Sequence, residues 1–203
     1  MKTADRLNAV KEYYFSKKLR EIEDLKSRGI DVINAGIGSP DLAPHPSVIT
    51  ELQLQSAKQH AHKYQSYKGI NELRLAFSNW YLKYFNCNLD PDHEILPLMG
   101  SKEGIMHISL AFLNKGDEVL IPDPGYPTYA AAAKIAEANI TIYDLKEKNN
   151  WLPDLSSIEK MDLSRVKIMW INYPHMPTGA NANNKDLSKI VAFGKRNLSL
   201  IHI

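Results

Sequence analysis

Cysteine is nearly absent: Cys87 is the only one in 203 residues, so no disulfide can form within the chain. That suits a reducing compartment and points to a cytoplasmic protein. No run of about 18 apolar residues occurs, so no membrane span is expected. The N-terminus, Met1-Lys2-Thr3-Ala4-Asp5-Arg6, leads into a charged amphipathic segment and not into the apolar stretch of a signal peptide. Neither sign of charge dominates, since 25 basic residues oppose 23 acidic ones and both are spread along the chain. A net charge of +2 gives no reason to expect nucleic acid or an acidic membrane surface as a partner. Internal repeats and low-complexity tracts are missing as well.

What is present is the balance of a soluble globular protein, 44% hydrophobic and 24% charged. The length fits one ordinary domain or a piece of a larger protein. Apolar residues at helical spacing predict a helix over residues 5–28, stopped by Gly29. Residues 31–35 predict a short strand that enters the glycine-rich turn Gly36-Ile37-Gly38-Ser39-Pro40-Asp41. Pro46 suits the first turn of a helix reaching about Gln59, and Asn71 could cap another that carries Leu73, Phe77, Trp80, Tyr81 and Tyr84.

From Glu94 onward strands and helices alternate. Strands are expected at 94–99, 118–122, 140–143, 166–171 and 198–203, and helices at 101–113, 130–138, 155–160 and 186–196. Strands of about five residues separated by helices predict an α/β fold with a mainly parallel sheet and right-handed crossovers. Ligands of such sheets sit beyond the carboxyl ends of the strands. Three loops there have unusual composition: 100–102, 123–129 and 172–179.

Each loop has a bland and a chemical reading. Gly100-Ser101-Lys102 opens a helix, where unpaired N–H groups and a partial positive charge make a seat for phosphate; it could equally be a plain helix cap. Tyr126, beside Pro124, Gly125 and Pro127, could stack on a planar ring or simply pack in a surface turn. Asn172, Tyr173 and His175 lie in a Pro-x-x-Pro-Thr-Gly frame, which could hydrogen-bond ring substituents or be only a rigid turn. His60-Ala61-His62 has no third ligand nearby and lies two apart, so it reads as a solvated helix end and no metal is expected. Glu103 reads as a first-turn acid favoured by the helix dipole, and Trp80, Trp151 and Trp170 as core residues.

Together the segments Gly100-Ser101-Lys102-Glu103-Gly104, 116–129 (Gly-Asp-Glu-Val-Leu-Ile-Pro-Asp-Pro-Gly-Tyr-Pro-Thr-Tyr) and 172–179 (Asn-Tyr-Pro-His-Met-Pro-Thr-Gly) resemble the class I/II aminotransferases. These are the aspartate-aminotransferase-like enzymes of pyridoxal phosphate fold type I. The resemblance continues upstream through 36–41 and 64–74 and covers essentially the whole chain. It implies an N-terminal arm and part of the small domain over residues 1–45, then an incomplete large domain over 46–203 that binds pyridoxal 5'-phosphate.

The resemblance also implies roles. Ser101 and Lys102 fall where the family cups the cofactor phosphate. Tyr126 falls at the aromatic stacked on the pyridine ring, Gly38 beside the substrate carboxylate, and Tyr64 at the tyrosine that reaches the neighbouring subunit's phosphate in a homodimer. One position departs. The family usually has asparagine just before Pro-Thr-Gly, as donor to the phenolic oxygen of the cofactor; here Met176 stands there and cannot donate. Asn172 or His175 is then the substitute. Substrates would be an amino acid and a 2-oxo acid.

In the family the Schiff-base lysine, the aspartate on the pyridine nitrogen and the carboxylate-binding arginine lie beyond residue 203. The expectation is therefore an N-terminal half with no catalytic residue of its own, inactive in transamination and poorly soluble alone. Residues 198–203 read either as a strand cut short or as the in-frame translation of CTG-TCT-CTT-ATA-CAC-ATC, a transposon-end sequencing adapter. The rival readings are a lyase or decarboxylase with the same cofactor, a non-catalytic ligand sensor, and a nucleotide-binding module. The last is disfavoured because Gly-x-Gly-x-x-Gly is absent from the turn.

Overall fold

Val119, Leu120 and Ile121 follow one another in sequence and all are buried, so the strand Glu118–Asp123 (β1) has no solvent face. A strand buried on both sides belongs at the centre of a parallel sheet covered by helices on both faces. The computed structural model, which describes residues 2–9, 12–36, 38, 40–197 and 200–202, places it there. Asn139–Asp144 (β2) pairs with one edge of β1, and Val166–Trp170 (β3) with the other. Leu200–His202 (β4) continues outward from β3. All three pairings are parallel, in the order β2-β1-β3-β4.

Period-two alternation sorts the core into two layers. Val119, Ile121, Ile168 and Trp170 pack with Ile105, Leu113, Tyr129, Ala132 and Ala133. These last come from Ser101–Phe112 (α4), the residue just after it, and Pro127–Ile135 (α5). On the other face Leu120, Met169 and Ile171 pack with Tyr143, Ile158, Ile190 and Phe193. Ile158 closes the one-turn helix Leu155–Ile158 (α6), and Ile190 and Phe193 belong to Asn184–Asn197 (α7). Burying a side chain such as Leu120 or Phe193 contributes about 1.5–3 kcal/mol. The alanines of α5 let that helix lie close to the sheet and favour its formation.

The chain divides into two compact units, Met1–Lys11 with Met99–Ile203, and Glu12–Leu98. The second unit holds Tyr14–Ser27 (α1), Pro46–Ser56 (α2) and Asn71–Phe85 (α3). Its buried feature is polar. Arg74 of α3 is buried and donates to the carbonyls of Gly69 at 2.7 Å and Pro91 at 2.8 Å, and to the Asp92 carboxylate at 2.9 Å. Ser78 adds a 2.6 Å bond to the Leu89 carbonyl. These bonds tie the loop before α3 and the turn after it onto one helix. Phe77, Trp80, Tyr81, Tyr84 and Phe85 of α3 remain exposed.

Several expectations are corrected. The helix expected over 5–28 is a 3-10 turn at Asp5–Ala9 and then α1 from Tyr14, where Tyr13 at the cap position makes no side-chain cap bond; Val10 and Lys11 lie outside the described residues. Residues 31–35 and 94–98 are not strands: neither has a sheet partner among the described residues, and Pro97 lacks the N–H a ladder needs. The helix expected from Ala130 starts at Pro127, whose ring suits a first helical position. Of the run 198–203, residues 198, 199 and 203 lie outside the described residues. No helix among the described residues is long and apolar enough to cross a membrane.

Candidate functional site

After β1 the chain moves through α5 to β2 on one side; after β3 it moves through α7 to β4 on the other. Strand order therefore reverses between β1 and β3. The crevice beyond their carboxyl ends is where an open α/β sheet binds a ligand. The loops that leave those two strands are the second and third loops singled out in the sequence.

The first loop precedes α4. Gly100 sits at the N-cap with φ 107° and ψ 162°, a region closed to residues with a Cβ, and it supplies no side-chain cap. The first turn of α4 therefore receives no cap from the side chain at its N-cap position. Ser101 and Lys102 are exposed in that turn. Glu103 reaches back, its Oε2 accepting from the Met99 N–H, while its Oε1 lies 3.7 Å from Nε2 of His107 one turn on.

Lys102 Nζ lies 5.8 Å from the centre of the Tyr126 ring, which brings the first loop to the second. Tyr126 is half-buried and meets Tyr129 edge-on at 5.7 Å. Tyr129 in turn stacks on Trp170 with centroids 5.0 Å apart and planes 7° from parallel. The ring expected to stack on a cofactor is thus braced from the core. Gly125 makes the turn possible: a Cβ there would lie 2.3 Å from the Pro122 carbonyl oxygen.

In the third loop His175 is buried, with Nδ1 2.8 Å from Thr178 Oγ1. Its Nε2 makes no hydrogen bond of ordinary geometry, yet the Pro124 backbone comes close enough to favour the protonated ring. Burial outweighs this and holds the imidazole below its ordinary value, so it is neutral at neutral pH. Thr178 thus holds the ring within the third loop, and the Pro124 backbone of the second loop lies beside it. Asn172 is half-buried, and its Oδ1 accepts from the Met176 N–H at 2.9 Å, which leaves its amide N–H groups as donors. Met176 is exposed. Tyr173 donates to the Trp151 carbonyl at 2.7 Å, and burial together with the Asp186 carboxylate pushes its phenol up to about 12.

Ser101, Lys102, Tyr126, Asn172 and His175 thus belong to loops that meet within one unit. Tyr64 and Gly38 belong to the other unit, each exposed, and Ile37 and Ser39 beside Gly38 lie outside the described residues. No cluster of potential metal ligands occurs among the described residues, and His60 and His62 are exposed. Sequence reasoning missed the close approach at Gly125 and the return of Glu103 to Met99. The signal for the second was present as an acid three residues after a helix cap, the spacing of a capping box.

A parallel sheet whose strand order reverses between β1 and β3, with a helix N-terminus, a braced aromatic ring and polar loops at the switch point, defines a ligand-binding type of α/β domain. Comparison narrows it: the chain belongs to the family of class I and II aminotransferases, whose pattern matches residues 30–202. It is 39% identical over 203 residues to the LL-diaminopimelate aminotransferase of Dehalococcoides mccartyi, covering all of this chain and 52% of that protein. To the enzyme of the same name from Aquifex aeolicus it is 42% identical over 193 residues, which are 95% of this chain and 50% of that one. The apo-BacF structure from Bacillus subtilis matches with a TM-score of 0.92 and 30% identity, over 98% of this chain and 51% of that one. The chain spans about half the length of the curated relatives it matches.

Proposed function

We propose that this chain forms the pyridoxal 5'-phosphate seat of an aminotransferase that moves an amino group between an amino acid and a 2-oxo acid, as a homodimer. The observation that carries this is the meeting of the three loops: Lys102 against Tyr126, and His175 against the Pro124 turn, beyond the ends of β1 and β3. Phosphate suits the α4 N-terminus, where the helix dipole, the Ser101 hydroxyl and the Lys102 ammonium give donors and positive charge. Tyr126 offers an aromatic face on a braced support. Asn172 is the better substitute for the missing asparagine, because His175 is held inside the loop and Asn172 keeps free donors. Gly38 would stand beside the substrate carboxylate, and Tyr64 would reach the other subunit's phosphate.

When bound, the cofactor supplies an electron sink for charge developing at the substrate carbon. The chain's own residues hold and orient it. The names of the relatives make LL-diaminopimelate the first amino donor to try.

Equilibrium dialysis of the chain with pyridoxal 5'-phosphate and with pyridoxal tests the seat. Clear preference for the phosphorylated form is expected, and equal uptake of both would overturn the reading. The donor is tested by mass-spectrometric transfer of ¹⁵N from a panel of amino acids to a 2-oxo acid, using the complete polypeptide that carries these residues. Turnover of other amino acids but not LL-diaminopimelate would reject that donor.

A further inference from the structure

Glu103 has no place in the roles implied by the family resemblance, and its position is paradoxical for a phosphate seat. A carboxylate in the first turn of α4 opposes a bound dianion by charge. Its geometry gives a reason for being there. Gly100 caps α4 without a side chain, at a backbone conformation only glycine adopts freely, and an added Cβ at Gly100 would meet nothing within 4 Å. Neither a side-chain bond nor packing at that position fixes the residue that must turn for the N–H groups to converge.

Glu103 supplies the missing restraint. As the third residue of the helix it occupies the capping-box position, but its Oε2 accepts from the Met99 N–H, one residue before the cap. The bond closes a ring across Gly100. The other oxygen, Oε1, is drawn toward His107 Nε2 at 3.7 Å, one turn along α4. Both carboxylate oxygens are thus engaged, one with the Met99 N–H and one toward His107.

We propose that Glu103 is a positioning residue for the phosphate-binding turn, acting through the Met99 amide to hold Gly100 in its binding conformation. This rests on the reading of the turn as a pyridoxal 5'-phosphate seat. Bracing and charge predict opposite responses. If charge were the whole effect, both Glu103→Gln and Glu103→Ala would tighten phosphate binding. As a brace, Glu103→Gln keeps a carbonyl oxygen for Met99 and removes the repulsion, so it binds as well as the wild type or better. Glu103→Ala loses the bond and binds about tenfold more weakly, a factor corresponding to about 1.4 kcal/mol. Glu103→Asp keeps the charge but is one methylene too short, and weakens binding similarly.

The test is equilibrium dialysis of the four proteins with pyridoxal 5'-phosphate and with pyridoxal, alongside hydrogen exchange at the Met99 amide. Protection at Met99 is expected in the wild type and Glu103→Gln and is lost in the other two, while pyridoxal uptake is the same in all four. Glu103→Ala binding as tightly as the wild type, or Glu103→Gln weakening as much as Glu103→Ala, overturns the proposal. So does a parallel loss of pyridoxal uptake, which marks a general structural defect. Should Glu103→Ala fail to fold, Glu103→Asp and the exchange measurement decide alone. Failure of the seat itself is recognised separately, because then the wild type shows no preference for the phosphorylated ligand.

Discussion

The Lys102 ammonium lies 5.8 Å from the centre of the Tyr126 ring, so one side chain joins the first turn of α4 to the loop that follows β1. An exposed contact of this kind contributes only about 0.5–1 kcal/mol to stability. Its larger effect is expected on binding, where a charge-assisted hydrogen bond is worth about 1.5–3 kcal/mol. Lys102→Ala is expected to weaken pyridoxal 5'-phosphate uptake about tenfold or more and to flatten its dependence on salt. The urea midpoint should barely move. Dialysis at two ionic strengths checks this, and an unchanged affinity would remove Lys102 from the seat.

Gly125 is a steric prediction. Its Cβ would meet the Pro122 carbonyl oxygen at 2.3 Å and Pro122 Cγ at 2.9 Å, and backbone cannot yield as a flexible side chain can. Gly125→Ala is expected to cost about 1–3 kcal/mol of stability and to displace Tyr126. Urea unfolding with cofactor dialysis reads both. Retention of wild-type stability would show that the turn has an alternative conformation.

Tyr143 is a core prediction. Its buried hydroxyl donates to the Trp170 carbonyl at 2.6 Å, and burial raises its phenol well above the ordinary value, so it remains protonated and a donor at any working pH. Tyr143→Phe leaves that carbonyl without this donor and is expected to cost about 1–3 kcal/mol. Denaturant unfolding measures it; a change below about 0.5 kcal/mol, ordinary for a surface site, would mean the bond adds nothing.

His175 gives a pH dependence. Burial lowers its pKa from the ordinary 6.5, so the folded state favours the neutral ring and the unfolded state takes the proton first. The stability this contributes is fully present above pH 6.5 and is lost as pH falls below that through the lowered value. The wild type should therefore lose more stability than His175→Gln between neutrality and about pH 5. Urea midpoints of the two across that window test it, since the carboxylates and other histidines cancel in the difference. Equal slopes would place the ring in contact with solvent.

The parts of the fold legible in the sequence were those whose apolar runs leave no alternative. β1 and β3 are continuous apolar segments too short for helices and too buried for an edge, and their boundaries fall within a residue or two of expectation. Residues 94–98 misled because an apolar run says nothing about a pairing partner, and Pro97 removes one of the N–H groups that pairing needs. The candidate site is marked in the sequence by the order of three loops, since composition alone leaves each ambiguous. Gly125 was read as part of a rigid turn, but its necessity depends on where the Pro122 carbonyl points, which exists only after folding. The spacing of Glu103 from Gly100 is that of a capping box, but the sequence alone does not show that its carboxylate bonds the Met99 N–H, one residue before the cap.

The stacked pair of Tyr129 and Trp170 also makes the molecule its own optical reporter. Trp170 is wholly excluded from water and is expected to emit at short wavelength, whereas Trp80, 48% exposed and in the other compact unit, should emit toward the red. A ring docking on Tyr126 would act on Tyr129 and through it on Trp170, because the three rings are in contact in series. Occupancy of the site would then be written in the blue side of the emission band, with the red side serving as an internal reference, and no label would need to be attached.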